Sequence, residues 1–118
     1  MRLRPEILKI DAEAVSWFIT NFIRDYVTSI GAKGLVIGLS GGLDSSTAAS
    51  LAVRALGPER VVALIMPEEE TYDPESVGHA EMVAEELGIK VDYIDITPML
   101  KAFYASLPAY DPSDDMAR

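Results

Sequence analysis

Apolar and polar positions follow two alternating rhythms along the chain. Val15, Phe18, Ile19, Phe22, Ile23, Tyr26, Val27 and Ile30 recur at spacings of three and four, predicting an amphipathic helix over 7–30. Asp11 stands where an N-cap belongs and Gly31 where a helix stops, while Pro5 leaves open whether 5–10 is a separate short turn. Residues 35–39 are apolar without interruption, the pattern of a short strand buried on both faces. A helix over 44–56 follows, offering Ala48, Leu51, Ala52, Ala55 and Leu56 to a core, and Gly57-Pro58 ends it. Residues 61–65 form a second apolar strand, closed by Met66-Pro67, and the polar stretch EEETYDPES connects onward. A third helix over 74–87 carries Val77, Ala80, Val83, Ala84 and Leu87 on one side and stops at Gly88. A third strand over 89–96 leads to Thr97-Pro98, read as an N-cap and a first-turn proline opening a helix over 99–107. Residues 108–118 have no period and read as loop or disordered tail, with Asp111, Asp114 and Asp115 solvated.

The order is a helix followed by strand–helix three times. Right-handed crossovers then make a parallel sheet covered on both faces, a doubly wound α/β architecture. The 118 residues suit one domain spanning 1–118. Three strands are a thin sheet, so the domain is expected to be incomplete at its C-terminus, the first half of a larger doubly wound unit.

Composition narrows the chemistry. A net charge of −9 offers no basic footprint for nucleic acid, and no nucleic-acid partner is expected. The chain has no cysteine, which excludes disulfides, thiolate metal sites and a cysteine nucleophile. The opening MRLRPEILKI is too soon interrupted by charge for a signal peptide, and no apolar run approaches the roughly 20 residues that span a bilayer. These features predict a soluble cytoplasmic protein without a membrane partner.

The informative stretch is GLVIGLSGGLDSSTAASLAV, residues 34–53, where a strand breaks into Ser40-Gly41-Gly42-Leu43-Asp44-Ser45 before the next helix. Parallel α/β sheets bind ligands beyond the carboxyl ends of their strands. Glycines there let a backbone approach a ligand, successive N–H groups form an anion nest, and the helix N-terminus adds its dipole. Ser40, Ser45 and Ser46 add hydroxyl donors. The combination suits phosphate oxygens. Neither the lysine-bearing phosphate loop nor the dinucleotide fingerprint fits: no lysine occurs between Lys33 and Lys90, and the glycines at 38, 41 and 42 have the wrong spacing. Asp44 would repel a polyphosphate unless a divalent cation lies between them, because Mg²⁺ takes one or two carboxylates together with phosphate oxygens. Asp is also a common helix cap, and alone it would be read so. The whole hexapeptide in a strand–loop–helix setting favours a polyphosphate site with Asp44 as metal ligand.

Other polar residues read more plainly. Glu68, Glu69 and Glu70 follow the second strand but read as a solvated run. His79, the only histidine, reads as a helix-surface residue. Phe18 fits the core face of the first helix, whereas Trp17 lies off it and is free to meet another subunit. Asp95, near the carboxyl end of the third strand, reads as turn-forming.

Ser40 to Ser45 matches the SGGxDS pyrophosphate loop of the N-type ATP pyrophosphatases, which cleave ATP between its α and β phosphates. Within that group the flanking sequence, with Met66-Pro67 ending the second strand and HAEMVAEELGIKVDYIDITPML following, resembles the NAD synthetase family across residues 10–101. The resemblance implies an adenine nucleotide alpha hydrolase-like fold and ATP and Mg²⁺ as ligands. It implies deamido-NAD and ammonia as further substrates, and a homodimer. The nicotinate carboxylate would attack the α-phosphorus of ATP, and ammonia would then displace AMP from the acyl-adenylate. The loop from Gly38 and Leu39 through Ser45 would hold the phosphates: Gly41, Gly42 and Ser45 on the β and γ groups with Ser40 assisting, Leu43 within the turn, and Asp44 on Mg²⁺. The main chain near Ile65 and Met66 would face adenine. No catalytic side chain is implied in this segment, because the family's further binding residues lie beyond it. A GMP synthetase ATP-binding subunit is the enzyme alternative, and a non-catalytic nucleotide-binding module is the other.

Overall fold

The computed structural model describes residues 4–108 and Ser113. The expectations for Asp111, Asp114 and Asp115 lie outside the described residues. A 3₁₀ turn, Pro5–Leu8, precedes helix α1, Ala12–Ser29. Strand β1 is Leu35–Gly38, α2 Leu43–Leu56, β2 Val61–Ile65, α3 Pro74–Leu87, β3 Lys90–Tyr93 and α4 Thr97–Ala105.

Helix α1 starts at residue 12 rather than 7. Pro5 opens its own turn, and the Asp11 side chain accepts from the Ala14 N–H at 3.1 Å, which caps the helix there. Gly31, at φ 67°, ends it as expected. The side chains it buries differ from the expected set. Thr20 and Val27 are buried and Ile23 packs on the core, but Phe18 is 69% exposed, and Phe22, Tyr26 and Ile30 are exposed too. The cause is geometric: α1 rests on α2, and a single neighbouring helix covers only a narrow stripe of an apolar arc this wide. The Arg24 side chain adds a tether, its Nε donating to the Ala55 carbonyl at 3.0 Å.

The sheet is parallel in the order β1-β2-β3, with Leu35 opposite Val61 and Val62 opposite Lys90. The α/β parallel architecture predicted from the alternation is the one observed. Central β2 buries Val61, Ala63 and Ile65. α2 packs on β1 and β2, and α3 on β2 and β3, with the two helices touching. Their core faces are alanine-rich: Ala49, Ala52 and Ala55 from α2, and Ala80 and Ala84 from α3. Small side chains let both helices approach the sheet closely. Ala49, not Ala48, turns inward on α2.

Two expectations about the sheet are corrected. β1 is an edge strand with alternating burial rather than a strand buried on both faces, and Val36 is 62% exposed. Crossovers of one hand stepping in one direction put α2 and α3 on the same face, so among the described residues no helix covers Val36 on the other. β3 ends at Tyr93 because Asp95 turns the chain, its Oδ1 accepting from the Thr97 N–H at 2.9 Å. Helix α4 therefore starts one residue earlier than the expected Thr97 cap implies. Ile96 is its N-cap, and Thr97 is its first helical residue.

Candidate functional site

β1 delivers the chain to the carboxyl edge of the sheet, where the Leu39 N–H makes a last bond to the Leu64 carbonyl at 2.9 Å. Leu39 itself is buried and anchors the loop. The chain then turns through Ser40 and Gly41 to Gly42, the N-cap of α2, which has no side-chain cap. Gly41 has φ 83°, and a Cβ there would fall on the Ser76 carbonyl oxygen of α3. Glycine is required at this point both by conformation and by the close approach. Gly38 is also used: a Cβ on it would lie 3.2 Å from the Met66 Cε, so the Met66 side chain rests against the bare strand end.

The hydroxyls of Ser40 and Ser45 are 3.0 Å apart. Ser40 Oγ accepts from the Gly42 N–H at 3.2 Å, and Ser45 Oγ accepts from the Ser40 N–H at 3.2 Å. The pair knits the turn together and presents two exchangeable O–H groups at its mouth. Both Ser45 and Ser46 donate to the Gly42 carbonyl, Ser45 weakly at 3.4 Å and Ser46 at 2.7 Å, so Ser46 serves the helix start while Ser45 also bonds to Ser40. The first-turn N–H groups of α2 have no partner within the helix, and the positive end of the dipole lies beside them.

Asp44 is exposed in that first turn, and among the described residues no hydrogen bond or ion pair engages its carboxylate. It is not the helix cap, which Gly42 supplies. Among the described residues no group of three acidic or histidine side chains is placed to hold a metal by itself. One free carboxylate beside a nest of N–H groups fits a cation that arrives with a polyphosphate, the donor set Mg²⁺ accepts.

Beside the loop lies a cleft of about 280 Å³ lined by Leu39, Ser40, Ile65, Met66, Pro67, Glu68, Thr71, Tyr72, Asp73, Ser76 and Val77. The structure thus brings Leu39, Ser40 and Met66 to one cleft. Gly41, Gly42, Leu43, Asp44 and Ser45 continue past it along the start of α2, and Leu43 points outward. The lining combines apolar Leu39, Ile65, Met66, Pro67 and Val77 with hydroxyls from Ser40, Thr71, Tyr72 and Ser76 and carboxylates from Glu68 and Asp73. An apolar wall with a few polar groups is the usual make-up of a small-molecule site.

The segment 67–73 closes the cleft and is tied down by its own carboxylates. Glu68 accepts from the N–H groups of Glu70 and Thr71 and from the Thr71 hydroxyl. Glu69 pairs with Lys101 at 2.9 Å, and its N–H donates to the Thr97 hydroxyl at 2.9 Å. Asp95 is held below the ordinary carboxylate range by the Thr97 hydroxyl and then the Thr97 N–H. Asp73 caps α3, accepting from the Glu75 and Ser76 N–H groups at 3.2 Å each and from the Ser76 hydroxyl at 2.5 Å. That hydroxyl, followed by the Glu75 N–H, lowers the Asp73 pKa. The sequence reading passed over Asp73, Ser76 and Tyr72. The signal available was the Asp-Pro pair, a cap followed by a first-position proline, at the border of the polar connection.

The fold and this loop define a parallel α/β domain with a glycine-rich turn at the carboxyl edge of its sheet. Comparison with known proteins makes the assignment specific. The sequence pattern of the NAD synthase family matches residues 16–118. An NH(3)-dependent NAD(+) synthetase from Methanocaldococcus jannaschii is 58% identical over 87 residues, covering 74% of this chain and 33% of the relative. Among solved structures, NMN synthetase from Francisella tularensis aligns at TM-score 0.74 and 37% identity over 83% of this chain and 40% of its own. A glutamine-dependent NAD+ synthetase from Acinetobacter baumannii, in complex with adenosine diphosphate, aligns at TM-score 0.79 and 30% identity over 99% of this chain and 22% of its own. The chain belongs to the NAD synthase family. It spans about a third of the length of the curated relatives it matches.

Proposed function

We propose that this chain supplies the N-terminal, ATP-binding portion of an NAD synthetase. In this reading ATP adenylates the carboxylate of deamido-NAD, pyrophosphate leaves, and ammonia converts the acyl-adenylate to the amide with release of AMP. The observation that carries the reading is the turn at Ser40–Ser45 in a member of this family: a glycine-capped helix start, two exchangeable hydroxyls and one unengaged carboxylate, Asp44. The ADP complex of the Acinetobacter baumannii relative supports an adenine nucleotide here.

Each residue then has a task. The N–H groups of Gly41 and Gly42 and the hydroxyls of Ser40 and Ser45 would hold the β and γ phosphates and stabilise the departing pyrophosphate, with Gly38, Leu39 and Leu43 shaping the turn. Mg²⁺, bound between Asp44 and the phosphates, would offset their charge in a chain of net charge −9. Met66 and its backbone would face adenine against the apolar wall. The remaining contacts to substrate would come from outside this segment, as the single domain 1–118 is in this reading the first half of a larger unit. The assembled enzyme would be a cytoplasmic homodimer.

Titration of the chain with Mg·ATP, followed by backbone amide resonances, tests the reading. Saturable shifts at 38–45 and Met66 that need Mg²⁺ are expected; saturation that leaves 40–45 unmoved overturns it. The similarity to an NMN synthetase favours one competitor for the acyl substrate, the deamido mononucleotide. In the protein that carries this chain, amide formation with ATP and ammonia should be faster on deamido-NAD than on that mononucleotide, and the reverse preference would assign the shorter substrate.

A further inference from the structure

The anion-binding turn does not hold its shape alone. Gly41 sits at φ 83° against the first turn of α3, so close that a Cβ would collide with the Ser76 carbonyl. The position of that carbonyl is set by the start of α3. Pro74 opens the helix, and the Asp73 carboxylate takes the N–H groups of Glu75 and Ser76 together with the Ser76 hydroxyl. Without a cap the first turn of a helix has unsatisfied donors and frays. A frayed turn would withdraw the wall against which Gly41 rests.

We propose that Asp73 is a positioning residue for the phosphate loop. It acts through the Ser76 carbonyl on Gly41 and so sets where the Gly41 and Gly42 N–H groups point. The proposal rests on the reading that this loop holds ATP phosphates. Asp73 lines the same cleft, yet a carboxylate is a poor direct partner for phosphate, and this one already accepts three hydrogen bonds within α3. Its effect on the ligand is therefore indirect. The polar connection 67–73 thus does more than close the cleft: its last residue aligns the loop across from it.

The test compares Asp73→Ala, Asp73→Asn and Ser76→Ala in the chain, with and without magnesium pyrophosphate. In the ligand-free chain Asp73→Ala should displace the amide resonances of Gly41 and Gly42 while those of Val61 and Ala63 stay in place. Its affinity for magnesium pyrophosphate should fall roughly fivefold, in proportion to the usual value of a cap. Asp73→Asn keeps one acceptor oxygen for the Ser76 N–H, though not the second that takes the Glu75 N–H, and should recover much of both. Ser76→Ala keeps the two N–H bonds and should shift Gly41 less, in the same direction, and it decides the matter if Asp73→Ala does not fold. Gly41 and Gly42 resonances that stay put while Ser76 moves would overturn the proposal. So would an Asn variant that loses as much affinity as the Ala variant while the Gly41 and Gly42 resonances stay in place, since that would assign the effect to charge. If the unaltered chain binds no magnesium pyrophosphate, the functional reading fails, and the ligand-free resonances still decide the positioning role.

Discussion

Two loops meet at the carboxyl edge of the sheet, and they handle charge in opposite ways. The turn after β1 holds its shape with glycines and serine hydroxyls, and its one carboxylate, Asp44, is exposed and unengaged. The segment after β2 is far more acidic, yet Glu68 closes its own turn, Glu69 pairs with Lys101, and Asp73 caps α3. A count of carboxylates would point to the second loop as the metal site. In the proposed reading the cation lies at the first, where Asp44 is exposed and makes no hydrogen bond or ion pair among the described residues.

The largest way to break this contrast is Gly41→Ala. The substitution adds a Cβ at positive φ and drives it into the Ser76 carbonyl, so the loop must move. Binding of Mg·ATP should fall more than tenfold, with loss of about 1–3 kcal/mol of stability from the strained backbone. Gly78→Ala is the matched control: Gly78 lies within α3, exposed, with open space where its Cβ would stand. That change should stabilise the chain by about 0.5–1 kcal/mol and leave binding as it was. Thermal melts and nucleotide titrations of the two variants separate a positional requirement from a general effect of losing a glycine.

Asp44→Asn comes next in size. Gly42 is the cap of α2, so the fold should stay intact. Mg·ATP affinity should drop by about tenfold, and the difference between titrations with and without Mg²⁺ should shrink. Glu69→Gln, in the acidic loop, should leave the Mg²⁺ dependence unchanged, since Glu69 is bound to Lys101 on the surface. A greater loss of Mg²⁺ dependence in Glu69→Gln than in Asp44→Asn would reverse the contrast.

Local patterns foretold what local rules control. Gly31, Gly57 and Gly88 stop their helices as expected, and β2 spans the predicted residues, because caps and apolar runs act within a few residues. The hexapeptide turn was legible for the same reason. What the pattern could not reveal depended on neighbours. Phe18 and Phe22 read as core but are exposed, since periodicity marks an apolar face without saying what covers it. Val36 read as buried because an apolar run does not distinguish a central strand from an edge. Thr97 read as a cap, yet it is the first residue of α4 and its hydroxyl serves the Glu69 N–H, a partner 28 residues away. Asp73 was legible as a cap from the Asp-Pro pair, but the approach of Gly41 to the Ser76 carbonyl beside it is a contact that no spacing encodes.

The smallest expected effect concerns acid stability, and it probes the engaged carboxylates alone. Asp73 is held below the ordinary Asp value of 3.8, first by the Ser76 hydroxyl and then by the Glu75 N–H. Asp95 is lowered likewise by the Thr97 hydroxyl and N–H. Near that pH the unfolded chain binds more protons at these two sites than the folded chain does. Their contribution is therefore fully present above the unfolded value and is lost as pH falls through the lower, folded values. Asp73→Asn with Asp95→Asn removes both titrations while keeping hydrogen-bonding side chains at the two turns. The thermal midpoint of that double variant should lie below that of the unaltered chain near neutrality and fall less steeply below pH 3.8, so that the two converge in acid. A double variant whose acid limb is as steep as that of the unaltered chain would mean that Asp73 and Asp95 are not the carboxylates whose hydrogen bonds are lost in acid.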